Sequence, residues 1–376
     1  MPKTVLCADA GSSSIKLALI ETAGSLMNLR VLAFVREAYN RGGAPAVLEA
    51  AFYQGIQKLL AQTPLPTTHY PPHIDAVCIS ACGPTLFPIT ETGEALSPLW
   101  WYSPACRETP LQSFFLPYIL WQRRNLPDEY RRTNKYFSPQ EYLSWKLGAS
   151  PAAVLPTEQY TPYYWDKKEL KTADIPPERF FYYVPLGKKI GAVSAEAALR
   201  TGIPAGTPIA AGGVDFIMAL YGSGVVQPGM TLDRAGSSEG INICLAEPPP
   251  QSLLPILNER GLRILPHAVS GYWNLSAVIP ESGSLFDRYR AGNSLEDYPY
   301  DDLLKALLPD CANSDDSPSA PPQTNSEYGA LPENTIAEGR RVLQMLADKV
   351  CAALDTLKDV GYPVTEMVIC GGQAKS

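Results

Sequence analysis

Histidine is scarce in this chain, with three among 376 residues, and the cysteines, eight in all, form no CxxC pair and no Cys/His cluster at zinc spacing. A structural zinc site is therefore not expected, and the cysteines read as reduced core residues. Cys78 and Cys82 fall on one face of a strand-like stretch without the further ligands that a metal needs. His69 and His73 bracket Tyr70-Pro71-Pro72, where the prolines exclude the helix that would align an i, i+4 ligand pair, so this stretch reads as loop. No apolar run approaches the roughly 20 residues that span a bilayer. The first residues enter a strand pattern with no basic leader or cleavage site, which points to a soluble, cytoplasmic protein. The net charge of −7 argues against a nucleic-acid backbone or an anionic membrane as the main partner. Neither GxxxxGK[ST] nor GxGxxG occurs, so any phosphate site must be built in another way.

What is present is apolar material, 45% of the chain, enough for two domains. Val5 to Ala8 reads as a buried strand, and Ile15 to Ile20 as a second with Ile15, Leu17 and Leu19 on one face. Asp9-Ala10-Gly11-Ser12-Ser13-Ser14 joins them. Met230 to Leu245 repeats this arrangement around Asp233-Arg234-Ala235-Gly236-Ser237-Ser238-Glu239-Gly240, so Ala-Gly-Ser-Ser recurs in a turn that would open each half of the chain. Leu343, Leu346, Val350, Leu354 and Leu357 recur at helical spacing within 333–358, with Gly361 as a stop signal. A short strand, Val364 to Cys370, then leads into Gly371-Gly372, while Asn313 to Asn325 has the composition of a flexible excursion.

Small residues between two strands let backbone N–H groups and hydroxyls close around phosphate oxygens, and an aspartate at the turn entrance can hold Mg²⁺. Asp9 occupies that entrance, although on the local sequence alone an Asx-type turn in an ordinary hairpin is the stronger explanation. Pro208 to Ala211 reads as a strand, Gly212-Gly213 permits close backbone approach, and Asp215 opens the helix-like run Phe216 to Tyr221. Asp215 can serve as a helix N-cap or as the carboxylate beside an attacking hydroxyl.

Taken in order, Asp9 to Ser14, Gly212-Gly213-Val214-Asp215, Gly222 to Gly229 and Gly236-Ser237-Ser238 resemble the FGGY family of carbohydrate kinases. Phe137 to Leu143, Gly191-Ala192-Val193 and Thr201 to Pro208 are similar to family segments in the same order. The resemblance implies an α/β fold of two actin-like (ribonuclease H-like) domains with mixed central sheets and an inter-domain cleft, divided as 1–228 and 229–376. It implies ATP-dependent phosphorylation of a sugar or polyol, xylulokinase-like or related, with ATP and Mg²⁺ as cofactors and a homodimer allowed. Carried over residue by residue, Asp215 is the general base and Asp9 the metal-associated carboxylate. Gly11, Ser12, Ser13, Gly236, Ser237, Ser238, Gly371 and Gly372 are nucleotide contacts, and Cys82, Gly83, Trp100, Trp101 and Asp215 line the substrate.

The sequence departs from the family in three places. The Trp-x-Asp-x-Arg sugar-side motif survives only as Trp100 to Arg107 without its aspartate, leaving the tryptophans either to stack on a sugar or to fill the core. Residues 284–332 lack the expected arginine-containing loop. Family members continue beyond the position of Ser376 with elements that complete the nucleotide pocket, which implies weakened ATP affinity. A sugar-binding or regulatory homologue without turnover is the alternative reading.

Overall fold

Alternation decides the first sheet: Ile15, Leu17 and Leu19 are all fully buried, and the strand that carries them runs Ser14–Thr22. The computed structural model describes residues 2–22, 29–62, 73–103, 111–236, 239–308 and 331–371. The chain packs as two compact units, one of residues 1–218 with 268–270, the other of 219–267 with 271–376. Each is a mixed sheet covered by helices.

In the first unit six strands lie in the order Leu29–Ala38, Ser14–Thr22, Lys3–Ala10, Ala76–Ala81, Pro208–Ala210, Lys189–Ala192. Lys3–Ala10 pairs antiparallel with Ser14–Thr22 and parallel with Ala76–Ala81, which in turn runs parallel to Pro208–Ala210. Three strands therefore end side by side at one edge, near residues 10, 81 and 210. Helix Pro45–Gln62 buries Leu48, Phe52, Ile56 and Leu59 against this sheet. Gly55 lets that helix settle on Leu17, because a Cβ there would lie 2.4 Å from Leu17 Cδ1. Helix Pro139–Leu147 is tied down by Glu141, whose carboxylate accepts from Ser138 N (2.8 Å) and Val154 N (2.7 Å). Burial pushes the Glu141 carboxyl up to about 7.

The second unit has five strands in the order Leu262–Pro266, Trp273–Ile279, Glu239–Leu245, Thr231–Arg234, Val368–Cys370. The last two run parallel, and the remaining neighbours antiparallel. Helix Glu333–Asp359 places Leu357, with Val350 and Leu354 beside it, on a core of Ile241, Ile243, Leu275 and Ile279. Its N-terminal half packs Val342 and Leu346 against Phe286, Tyr289, Leu303 and Leu307.

Six of the cysteines lie in the described residues and carry free thiols, with Cys351 exposed and Cys82 and Cys244 buried. His73 pairs with Asp75 (3.1 Å), and His69 lies outside the described residues, as do Asn313 to Asn325. Among the described residues no helix is long and apolar enough to cross a membrane.

Candidate active site

The common edge of the three strands gathers several of the expected residues in the first unit. Cys82 N donates to Ala10 O (2.9 Å) and Ala81 N to Gly213 O (3.4 Å), so the chain just past each strand end is held beside the next. Gly212 is needed for this close approach, since a Cβ there would lie 1.9 Å from Ile79 O. Gly83 leaves room for Val214, whose Cγ1 would lie 2.6 Å from an added Cβ.

At this edge Asp9 stands directly across from Lys16 in the antiparallel register, with Oδ2 3.2 Å from the Lys16 ammonium and both side chains about half exposed. The following turn is closed by Gly11 N donating to Ser14 O (2.9 Å). Tyr39, at the end of the third strand, grips the same turn from two sides: its N–H donates to Ser13 O (2.9 Å) and its hydroxyl to Gly11 O. Ser12 is half-buried and Ser13 exposed.

Asp215 opens helix Asp215–Gly222 at the strand edge, and its Oδ1 accepts from the N–H of the next residue, Phe216 (2.8 Å). Cys82 lies within reach of both acids. Burial first, then the charge of Asp215 and more weakly that of Asp9, pushes its thiol up to about 12, so it stays protonated and is no nucleophile at neutral pH. The Tyr39 hydroxyl is raised by burial and then by Cys82 and Asp9, which places it in the same cluster.

Trp100 fills the core, 5% exposed and edge-on to Phe87. Its outer face is covered by Tyr102, stacked at 5.7 Å, over which the Arg41 guanidinium sits at 4.3 Å. Trp101 is 37% exposed, and its carbonyl accepts from Tyr118 Oη (2.5 Å). Arg107 lies outside the described residues.

In the second unit Gly236 and Gly371 are brought together. Ala235 N donates to Cys370 O (2.8 Å), and Gly371, at φ +109°, meets Ala235 so closely that a Cβ would lie 2.3 Å from Ala235 O. Gly236 O accepts from Gly283 N (3.1 Å). Ser237, Ser238 and Gly372 lie outside the described residues. Flanking this turn are two acids that the sequence reading did not single out, Asp233 and Glu239, 3% and 5% exposed. They point to the helix-covered face with Ile241, and Glu239 Oε2 accepts from Ser282 Oγ. Burial, then the neighbouring Glu239 carboxylate, holds the Asp233 carboxyl well above the usual range. The available signal was positional: both acids occupy inward places of an alternating pattern. Tyr39 left no such signal, because its contacts depend on a third strand that pairs in space.

The geometry is therefore a mixed-sheet α/β unit with two acids at a strand edge, and a second unit that repeats the turn. The solved structures that resemble it have this architecture: xylulose kinase from Rhodospirillum rubrum matches all of this chain and 83% of its own length with a TM-score of 0.70 at 17% identity. Glycerol kinase from Plasmodium falciparum with ADP matches 100% of the chain and 82% of its own length at TM-score 0.71 and 16% identity. The fold is that of the actin-like two-domain kinases. Residues 105–222 match the model of the FGGY family of carbohydrate kinases, N-terminal domain. An autoinducer-2 kinase of Escherichia coli is 26% identical over 167 residues, 42% of this chain. The stretch from 105 to 222 is thus similar to that family's N-terminal domain, and the match spans 29% of the length of that curated relative.

Proposed function

We propose that the protein acts in ATP-dependent phosphorylation of a hydroxyl on a sugar or polyol. The observation that carries this reading is the convergence of Asp9, Cys82 and Asp215 on one edge of the parallel strands, fixed by the bonds between residues 10, 82, 81 and 213. Ligands of open α/β sheets bind beyond the carboxyl ends of strands, where backbone donors point outward.

Asp215 accepts the proton of the attacking hydroxyl; its carboxylate is anchored by the Phe216 amide and can act without moving. The Gly11-Ser12-Ser13 turn, kept rigid by Tyr39, offers backbone and hydroxyl groups to phosphate oxygens, with Gly236, Ser237, Ser238, Gly371 and Gly372 contributing to the nucleotide. Cys82, Gly83 and Trp101 line the substrate, and Trp100 supports that wall from the core through Tyr102.

Asp9 suits Mg²⁺, a hard ion that takes one or two carboxylates and otherwise water and phosphate oxygens. Its carboxylate is accessible, and its ion pair with Lys16 is exposed and easily exchanged. Bound there, the ion neutralises phosphate charge. Xylulose and glycerol are named for structural neighbours and autoinducer-2 for a relative, so a ketose or polyol panel is the starting point for the substrate.

The test is a phosphotransfer assay on that panel with the wild type and Asp215→Asn. The substitution keeps shape and removes proton acceptance, so turnover is expected to fall by ~10²–10⁴ with an unchanged melting curve. Equal turnover in the two proteins removes Asp215 from the reaction. Sugar binding with no transfer by the wild type favours the binding homologue instead.

A further inference from the structure

The two copies of the turn differ at the positions that close over it. Superposing Ala10-Gly11-Ser12-Ser13 on Ala235-Gly236-Ser237-Ser238 sets Ala8 against Asp233 and Ser14 against Glu239. All four are buried, at 5%, 6%, 3% and 5% exposure, so this packing accepts small neutral residues and does not require acids.

Two carboxylates cannot both stay charged in such a place. Desolvation and mutual repulsion each favour the neutral form, and a proton between the two oxygens removes both penalties while forming a strong hydrogen bond. Asp233 stands opposite Ile241 in the antiparallel register, and Glu239 lies two residues from Ile241 on the same face, so the two buried carboxyls are diagonal neighbours on adjacent strands and can meet only with a proton on one of them. The remaining polar atoms extend the link: Ser282 Oγ donates to Glu239 Oε2, and the next residue, Gly283, donates its N–H to Gly236 O (3.1 Å). The turn is thus fastened to the start of helix Ser282–Gly292 at Gly236 and at Glu239.

The charged and titratable neighbours leave the proton where it is. Glu239 is the acid on the adjacent strand. On the other side Cys370 is itself raised, by burial first, with Arg234 lowering it and Asp233 raising it. Arg234 follows Asp233 in the strand and so points to the opposite face. From the long helix Lys349 reaches the Pro280 carbonyl (3.4 Å). Asp233 Oδ1 has no hydrogen-bond partner among the described residues, so no second donor replaces the proton.

We propose that Asp233 and Glu239 share one proton, and that this proton positions the Ala235-Gly236 turn by keeping Glu239, Ser282 and Gly283 in place. Loss of the proton leaves two buried charges that push the turn away from the helix. The pair goes beyond the kinase reading, since it concerns the turn whether or not phosphate binds there.

The sign follows from linkage. The folded state holds a proton that the unfolded chain releases in the usual carboxylate range, so stability falls as pH rises above about 4 and levels off once the folded pair has ionised. The experiment is denaturant unfolding of the wild type, Asp233→Asn and Glu239→Gln between about pH 5 and about pH 8.5, with amide exchange followed at Gly283. An amide donor replaces the shared proton in either variant. The wild type is expected to lose stability toward alkaline pH, and Asp233→Asn to show a flatter profile and to be the more stable protein at the alkaline end. Gly283 exchange, corrected for its intrinsic rate, should quicken by about tenfold in the wild type over this range and much less in the variants. Parallel pH profiles for the wild type and both variants overturn the proposal; if one variant does not fold, the other decides. On the kinase reading, Mg²⁺–triphosphate affinity follows the same profile. Absence of triphosphate binding together with the expected unfolding profiles counts against the kinase reading and leaves the proton pair standing.

Discussion

The chain builds one turn twice and secures it by opposite means. At the first copy the acid, Asp9, faces outward, pairs with Lys16 and is about half exposed, while the buried flanks are Ala8 and Ser14. At the second copy the outward position is Arg234 and the acids are inside. The first turn is gripped by a single side chain from a neighbouring strand, Tyr39, and the second by a chain of bonds to a helix start. An exposed acid is available to a ligand. A buried one serves the fold and brings a pH dependence with it.

The glycines test this comparison most severely. Gly371→Ala would put a Cβ against the Ala235 backbone in a left-handed conformation, and a loss on the order of 3 kcal/mol is expected by denaturant unfolding. Gly11→Ala meets only Ser14 O at 3.2 Å, and its loss should stay within about 1 kcal/mol. Equal losses would mean that the second turn has no tighter backbone packing than the first.

Ser282→Ala comes next. It removes the hydroxyl that donates to buried Glu239, so about 1–3 kcal/mol should be lost. A loss below about 0.5 kcal/mol would separate Ser282 from the acid pair. The smallest effect is expected at the first turn: Lys16→Ala breaks an exposed pair and should change stability by at most about 0.5 kcal/mol, vanishing in high salt. A larger change would show that Lys16 supports the turn and does more than face Asp9.

Much of the frame was legible because it rests on local periodicity. The five leucine and valine positions of the long helix gave 333–358 and the helix runs Glu333–Asp359. Alternation gave the strands on either side of both turns, with Ile15, Leu17 and Leu19 fully buried as expected. The expected strand Val364 to Cys370 forms only over Val368–Cys370, since pairing with Thr231–Arg234 begins at Val368. Strand Leu29–Ala38 went unread because Leu29, Val31 and Phe34 are exposed on it and blur the alternation. The site divides in the same way. Asp9 and Asp215 stood out by their place in turn and strand-end patterns, whereas the grip of Tyr39 on the first turn and the Arg41 guanidinium over Tyr102 arise from pairing that no single stretch encodes.

The thiols carry a practical consequence. Cys7, Cys78, Cys82, Cys244 and Cys370 are all held above their ordinary range, with burial as the first cause, and each is at least partly covered. Cys351 alone among the described cysteines is exposed, on helix Glu333–Asp359. Because attack on a maleimide requires an accessible thiolate, a fluorophore or spin label should attach there first among these six. That gives a reporter on the helix whose buried side supports the second sheet, available without mutating the native chain.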